Sequence, residues 1–285
     1  MRLNASQLSM RIACYAILLF WLVVVLAPIY WVLITSFKLP IAVRGGSTYI
    51  PWVDFQPVLD NWHYVLIEKQ ADLIKPFKNS LIIALGGTTL AVALGSMAGY
   101  ALTRFQFKFA WMRNEDIAYW FISQRMLPPV VVVIPFLIFF RYVGLLDTQL
   151  GLIIAYGGFN LPLAVWITRD FFAALPRDIE ESAMIDGCSR WQAFVKIALP
   201  LSVPGLVAAF VICFIFAWNE YLLALVLSFQ NSATLPVYLA GQSSLNGPQV
   251  WYIAAMTIVF LAPVVTVGLL LERFITKGLV GGAVK

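Results

Sequence analysis

Six long stretches of hydrophobic residues alternate with polar segments along the chain of 285 residues. They cover residues 12–36, 79–101, 117–140, 150–168, 201–227 and 250–271. An α-helix needs about 20 mainly apolar residues to cross the hydrocarbon core of a bilayer. The pattern therefore predicts an all-α polytopic membrane protein with six transmembrane helices, and the even number places both termini on the same side.

The composition supports this prediction. Hydrophobic residues make up 61% of the chain and charged residues 12%, whereas a soluble domain typically has about 45–50% apolar and 25% charged residues. A soluble globule of this size would have to cover its surface with polar groups, so the apolar surplus excludes that class.

Lys and Arg are distributed unevenly over the connecting segments. Twelve of the 19 lie in residues 1–11, 102–116, 169–200 and 272–285, six lie in the other connecting segments, 37–78, 141–149 and 228–249, and Arg125 lies within a span. Cytoplasmic loops of membrane proteins collect Lys and Arg, so the bias predicts cytoplasmic termini. It also accounts for the net charge of +5, and we expect no nucleic-acid partner.

The first hydrophobic stretch is expected to remain in the mature protein. Residues 12–36 are longer than the core of a secretory signal, and no Ala-x-Ala cleavage site follows them. We interpret this stretch as a signal-anchor helix. Proline is frequent inside the later spans and predicts kinked helices; the positions are Pro128, Pro129, Pro135, Pro204 and Pro263.

Residues for metal or nucleophile chemistry are few. Cys14, Cys188 and Cys213 are widely separated, and His63 is the only histidine. This spacing fits neither a disulfide framework nor a thiol metal site, and one histidine argues against a zinc site or a Ser-His-Asp triad. We expect no catalytic residue and no metal ligand in this chain.

The connecting segment 175–200 has the pattern of two short helices with a sharp corner between them. Asp178 and Glu181 have the spacing of a capping box, and Ser189 and Gln192 form a second one. Gly187 stands where a helix can end in a left-handed residue. Such a rigid corner could dock into a partner, or the segment could lie on the bilayer with Trp191, Phe194 and Ile197 in the lipid.

This segment resembles the EAA loop of ABC importer permeases, whose pattern is Glu-Ala-Ala, three residues, Gly, nine residues and Ile-x-Leu-Pro. Here Glu181-Ser182-Ala183 is followed at those spacings by Gly187 and by Ile197-Ala198-Leu199-Pro200. Ser182 replaces the first alanine and is also small.

The resemblance extends over nearly the whole chain to the MalG-like carbohydrate permeases. The matching segments are Phe77-Lys78-Asn79-Ser80-Leu81, Gly99-Tyr100-Ala101-Leu102-Thr103-Arg104-Phe105, Phe216-Ala217-Trp218-Asn219-Glu220 and the tail 277–285. It implies the type I ABC importer permease fold in a bacterial inner membrane. The chain divides accordingly into residues 1–78 (first helix and a long extracytoplasmic loop), 79–272 (a permease core of five helices) and 273–285 (a cytoplasmic tail).

The resemblance also implies partners and a coupling site. The partners would be a second, MalF-like permease subunit, two ATP-binding subunits that hold ATP and magnesium, and an extracytoplasmic solute-binding protein. The chain itself would carry no cofactor. The residues expected to couple it to the ATPase, through a helix near residues 178–188, are Asp178, Glu181, Ser182, Ala183, Met184, Asp186 and Gly187.

Three polar residues inside the spans are candidates for the substrate path: Arg125, Asn219 and Glu220. Ionisable residues within a membrane usually face a cavity or a partner. Alternatively, Glu220 could join helices within the bundle and Arg125 could extend to the headgroups. Their positions along the two spans suggest opposite depths, so a direct ion pair is not expected.

The outer segment 228–249 contains no charged residue and is rich in amide and hydroxyl groups. It could bind neutral polar ligands, or it could be an ordinary loop. No Gly-x-x-x-x-Gly-Lys-Ser/Thr sequence occurs, so we expect ATP hydrolysis to belong to partner subunits. The alternatives are a proton- or sodium-coupled secondary transporter, which usually needs several intramembrane carboxylates, and a membrane enzyme.

Overall fold

A computed structural model describes residues 5–46, 48–108, 111–244 and 247–283 of the chain. The regular secondary structure of the described part is helical except for one hairpin of two-residue strands, β1 (Ser243–Ser244) and β2 (Gly247–Pro248). The helices are α1 (Ala5–Thr35), α2 (Pro40–Arg44), α3 (Asp60–His63), α4 (Gln70–Arg104), α5 (Asn114–Ser123), α6 (Pro129–Tyr142), α7 (Gln149–Ala174), α8 (Arg177–Ile185), α9 (Arg190–Ala193), α10 (Leu199–Leu201), α11 (Val203–Trp218), α12 (Leu222–Leu227), α13 (Leu235–Ala240) and α14 (Val250–Ala283).

Four helical segments are long and apolar enough to cross a membrane. They are Met10–Thr35, Gln70–Arg104, Gln149–Ala174 and Val250–Glu272. Two further pairs pass the same test only when each bent pair is taken as one span, Asn114–Met126 with Pro129–Tyr142 and Arg190–Leu201 with Val203–Trp218. The described residues therefore contain four to six candidate spans, which agrees with a multi-pass membrane protein.

The predicted span 117–140 is sharply bent. The pair Asn114–Met126 and Pro129–Tyr142 meets at an angle of 90°. Leu127 and Pro128 have extended backbones with ψ of 128° and 127°, because a residue before proline avoids the helical region. The kink expected from Pro128 and Pro129 is confirmed, and it is large enough to divide the span into two helices.

The predicted span 201–227 is also divided, and the expectation of one continuous helix there is wrong. Helix α11 ends at Trp218, and α12 begins at Leu222. Asn219 lies just beyond the end of α11, and its Nδ2 donates to the carbonyl of Ile215, 2.8 Å away. A side chain that bonds to the backbone in this way competes with continued helical pairing.

One compact unit comprises the chain up to Leu73 together with Leu239–Leu261. Its connecting segment is organised around Lys38, whose side chain is only 1% exposed. The Nζ atom donates to the carbonyl of Thr48 and lies 4.5 Å from the ring centroid of Trp31. Asn61 donates to the carbonyls of Ser36 and Lys38. Backbone acceptors and aromatic rings thus stabilise a buried lysine.

The second unit comprises Ile74–Tyr238 and the chain from Ala262 onwards. Within it, α4 and α7 pack closely because small residues recur along α4. A Cβ atom at Gly95 would lie 2.6 Å from the Cβ of Ala164, and one at Gly99 would lie 2.6 Å from Oγ1 of Thr168. Small residues let membrane helices approach closely, so this contact fixes α4 against α7.

Candidate coupling site and membrane cavity

Helix α8 contains most of the residues expected to couple the chain to an ATPase. It begins after Pro176, whose side chain forms no capping bond. The predicted capping box of Asp178 and Glu181 is therefore wrong. Pro176 has an extended backbone with ψ of 132°, which starts the helix early enough to place Asp178 inside its first turn. There the negative charge of Asp178 still interacts favourably with the positive end of the helix dipole.

The corner after α8 has the predicted geometry. Gly187 has a φ of +93°, in the left-handed region that glycine adopts without steric cost. The amide of Gly187 donates to the carbonyl of Met184, 3.1 Å away, and the amide of Cys188 donates to that of Ala183, 3.0 Å away. These two bonds define a Schellman motif, so the predicted left-handed glycine is confirmed.

The second predicted capping box is also confirmed. The amide of Gln192 donates to Oγ of Ser189 at 3.2 Å, and the amide of Ser189 donates to Oε1 of Gln192 at 2.8 Å. The box starts α9, which continues as a π-helical turn over Phe194–Ala198. Both ends of the corner are thus closed by local hydrogen bonds.

A buried charge network attaches α8 to the end of α4. Glu180 is 5% exposed. Its Oε1 accepts from Nε of Arg104 at 2.8 Å and lies 2.7 Å from the second guanidinium nitrogen, while its Oε2 accepts from the Tyr100 hydroxyl at 2.6 Å. Arg177 donates to the carbonyl of Thr103 at 2.9 Å. The helix is therefore held by an ion pair and charge-assisted hydrogen bonds.

Sequence reasoning missed this network. It selected Glu181 and passed over Glu180, whose side chain points into the protein. A signal was available, because Tyr100 and Arg104 are four residues apart and so lie on one face of α4. The ring of Tyr100 also contacts that of Phe194, with centroids 4.7 Å apart, so the network is joined to the turn that follows the corner.

The outward face of α8 carries the remaining coupling candidates. Asp178, Glu181, Ser182, Asp186 and Gly187 are exposed, whereas Ala183 and Met184 are half-buried. Two apolar side chains accompany them, Ile179 and Ile185, and Ile185 is 87% exposed. A short helix that is fixed on one side and exposes small, acidic and apolar groups on the other can serve as a rigid docking element.

Arg125 and Glu220 line one cavity of about 390 Å³. Aromatic rings form much of its wall, with polar groups from Gln124 and Asn160. The expectation that Arg125 and Glu220 lie at opposite depths is therefore wrong. Both spans are broken, and each of these residues lies at or beside the break of its own span. No ion pair joins the two in the described part of the chain.

Arg125 is held in this cavity by uncharged partners. Its guanidinium donates to the carbonyl of Phe159 and to Oδ1 of Asn160, both 3.1 Å away. It also lies 4.5 Å from the ring centroid of Phe216, a distance suited to a cation–π contact. The Arg125 charge therefore faces the cavity without a carboxylate bonded to it.

Glu220 has a structural contact as well as a place in the cavity wall. Its Oε1 accepts from the amide of Leu223, 2.9 Å away, at the start of α12, and its carbonyl accepts from the hydroxyl of Tyr156. Asn219, the third predicted path residue, is not among the residues that line this cavity. It is exposed and bonded to its own helix.

A second carboxylate, Asp147, binds the beginning of the uncharged segment 228–249. It accepts from the amides of Phe229, Gln230, Asn231 and Ser232 at 2.9–3.2 Å. Burial raises the pKa of Asp147, but the four amides outweigh this effect and hold the pKa below its ordinary value. Sequence reasoning singled out the segment 228–249 but missed this anchor, for which no sequence signal was found.

Asn79 and Ser80 fix the continuation of the same segment. Nδ2 of Asn79 donates to the carbonyls of Asn231 and Ala233, each 2.9 Å away, and Oγ of Ser80 accepts from the amide of Leu235 at 2.7 Å. Both residues belong to one of the segments that carried the family resemblance. They give that short motif a structural role.

Comparison with known proteins identifies the family. Residues 91–280 match the family model described as the binding-protein-dependent transport system inner membrane component. The chain belongs to this family. This match confirms the resemblance to ABC importer permeases drawn from the EAA loop, and relatives named as trehalose and trehalose/maltose permeases confirm the resemblance to MalG-like carbohydrate permeases drawn from the other segments.

Individual members of the permease family match over nearly their full length. The chain is 35% identical to the inner membrane ABC transporter permease protein YcjP of Escherichia coli, and the match covers all of both chains. It is 37% identical to the trehalose transport system permease protein SugB of Mycobacterium tuberculosis, over 91% of this chain and 92% of the relative.

A solved structure shows the same fold. It is a bacterial ABC transporter involved in the import of the acidic polysaccharide alginate, and the match has a TM-score of 0.72 at 22% identity. It covers 96% of this chain and 99% of the matched chain. The match shows that this chain has the same overall fold as that transporter chain.

Proposed function

We propose that this permease is one of two membrane subunits of an ATP-driven importer for a sugar, polyol or sugar derivative. Relatives named for trehalose, for trehalose and maltose and for diacetylchitobiose support a carbohydrate solute. In this proposal the chain has six spans and cytoplasmic termini, and it forms half of the translocation path with a MalF-like partner. An extracytoplasmic binding protein delivers the solute.

Two ATP-binding subunits, which carry ATP and magnesium, drive transport through α8 and its glycine corner. The observation that carries this proposal is the orientation of α8. Its Glu180 side is fixed to α4 by a buried ion pair, and its opposite side exposes Glu181 and Ser182 of the EAA segment. A partner that moves this face would therefore move the end of a membrane span with it, as rigid-body coupling requires.

The solute path in this proposal is the cavity that contains Arg125 and Glu220. Ligand sites are typically concave and mostly apolar, with a few polar groups that fix orientation. Here the rings of Phe216 and Trp120 form apolar walls, and a guanidinium and a carboxylate can hydrogen-bond to sugar hydroxyls. Asn219 stays a predicted path residue, with a position outside this cavity.

The test of coupling compares two replacements of Gly187 in a reconstituted transporter. Gly187→Val should abolish solute-stimulated ATPase activity while the chain stays inserted, because a β-branched residue fits a φ of +93° poorly. Gly187→Asn is the matched control, since asparagine tolerates the left-handed region, and it should keep most of the activity. Normal coupling in Gly187→Val would contradict the proposal.

A further inference from the structure

A second, larger cavity lies where α4 and α7 end and α5 begins. Its volume is about 1120 Å³, and Arg104, Ala173 and Asn114 are among the residues that line it. Both helices that end there are candidate membrane spans. The cavity is thus located at the boundary of the hydrocarbon core, away from the opening that contains Arg125.

Positive charge dominates this cavity. Five basic side chains line it against two carboxylates. Two of the five are already engaged, Arg104 with Glu180 and Arg177 with the carbonyl of Thr103. The other three, Lys108, Arg113 and Arg169, have no side-chain hydrogen bond or ion pair within the described residues.

The two carboxylates offset part of that charge, and a net charge of about +2 remains when Glu180 is counted against Arg104. Asp116 accepts from the backbone amide of Arg113 at the start of α5. Its negative charge also interacts favourably with the positive end of the helix dipole there. Glu115 forms no ion pair with another described residue. Several cations that converge on one open cavity without partners repel each other, so the arrangement favours an anionic ligand.

An exposed aromatic side chain lies in the connection that contributes Lys108 and Arg113 to this cavity. It belongs to Trp111, which is 88% exposed. Trp and Tyr concentrate at the headgroup level of bilayers, where their rings are partly in apolar and partly in polar surroundings. The free cations near Trp111 are therefore within reach of lipid headgroups.

We propose that this basic cavity binds the phosphate group of an anionic phospholipid. Guanidinium groups match phosphate oxygens with paired hydrogen bonds, and basic pockets between membrane helices bind anionic headgroups. Free phosphate has the same chemistry, but the position at the ends of two spans favours the lipid. The inference requires membrane insertion and not the proposed coupling role, so either can fail without the other.

The test measures lipid retention by the purified full chain. Phosphatidylglycerol and phosphatidylcholine are titrated separately, and bound lipid is counted by native mass spectrometry. Arg113→Gln and Arg169→Gln should each weaken phosphatidylglycerol binding by about fivefold, the effect of one basic residue near a charged membrane surface. Phosphatidylcholine binding should not change. The matched control is Arg141→Gln, which removes a basic residue at the end of α6, outside the cavity, and should bind like the wild type.

A variant in the opposite direction separates binding from misfolding. Glu115→Gln removes a carboxylate from the cavity wall and should tighten phosphatidylglycerol binding by about fivefold, which a damaged fold would not do. Inorganic phosphate added at millimolar concentration tests whether the cavity binds free phosphate from solution instead of a lipid. Displacement of the lipid by phosphate, or phosphate binding that depends on Arg113 and Arg169, supports a phosphate site filled from solution. Equal lipid binding in all variants, with no phosphate effect, would overturn the proposal.

Discussion

The adjacent residues Glu180 and Glu181 on α8 have opposite environments, although nothing in the local sequence distinguishes them. Glu180 is buried against Arg104 and Tyr100, while Glu181 is exposed. A buried ion pair that loses one partner leaves an uncompensated charge, which costs several kcal/mol. An exposed carboxylate without an ion pair contributes little to folding. The structure therefore assigns attachment of the helix to Glu180 and leaves Glu181 available to a partner.

This difference gives a direct prediction. Glu180→Gln should destabilise the permease by about 3 kcal/mol, because Arg104 would remain buried without a counter-charge. Glu181→Gln, its matched control, should change stability by less than about 0.5 kcal/mol, as surface replacements usually do. Thermal unfolding in nanodiscs measures both. Equal midpoints for the two variants would show that the Arg104–Glu180 pair does not hold α8.

Glu220 has two contacts whose contributions can be separated. In Glu220→Gln the side-chain oxygen can still accept from the amide of Leu223, so the start of α12 should remain intact. Loss of the charge in the cavity should raise the KM for uptake by about fivefold to tenfold, the equivalent of one hydrogen bond to solute. Protein level and unfolding temperature should stay unchanged.

The control for this measurement is Glu68→Gln, which removes an exposed carboxylate near His63. It should leave uptake kinetics as they are. A wild-type KM in Glu220→Gln would place Glu220 among residues that only support the helices. The cavity would then lose one of its two charged candidates for the solute path.

At the scale of elements, Asp147 connects the α6–α7 turn to the segment that follows α12. A carboxylate that accepts several backbone amides is strongly stabilised in its charged form. Asp147→Asn should therefore speed amide hydrogen exchange at residues 229–232 by about tenfold to a hundredfold, from bonds worth about 1.5–3 kcal/mol. Asp54→Asn, which removes the charge of a similar carboxylate that accepts from the amides of Tyr49 and Ile50, should affect only those two positions.

The pH dependence of this anchor follows from its lowered pKa. A carboxylate with a depressed folded-state pKa contributes stability above its ordinary pKa, about 3.9, and loses it as the pH falls through the lowered value. Protection of residues 229–232, corrected for the intrinsic exchange rate, should therefore stay constant from pH 7 to about pH 4. Loss of protection near neutral pH would contradict the role of Asp147.

Two features set by neighbouring residues were predicted correctly, whereas the equally local capping box of Asp178 and Glu181 was not. The left-handed Gly187 and the box of Ser189 and Gln192 depend on residues within a few positions, and both are present. The partners of Glu180 are 76 and 80 positions away along the chain. No local pattern shows which of two adjacent glutamates faces such distant partners.

The breaks in the spans explain why Arg125 and Glu220 lie closer together in the structure than the sequence predicted. Counting residues along an unbroken helix places Arg125 and Glu220 far apart in depth. The bend at Pro128 and the interruption at Asn219 change the paths of the two spans. As a result, Arg125 and Glu220 line one cavity. Proline indicated the first break. The second follows a hydrophobic helix without any proline or glycine at the break, which hydropathy alone cannot show.

At the scale of the whole molecule, the proposal requires α8 and the segment held by Asp147 to face opposite sides of the membrane. Cys188, at the glycine corner, is half-buried and free, and Gln230 is exposed. A chain that keeps Cys188 alone, with Cys14→Ala and Cys213→Ala, should react with an impermeant maleimide only in inverted vesicles. With Cys188→Ala added, Gln230→Cys should react only in spheroplasts. Labelling of both positions from one side would contradict the proposed topology, because an intracellular ATPase could not then reach α8 while the segment anchored by Asp147 stays outside.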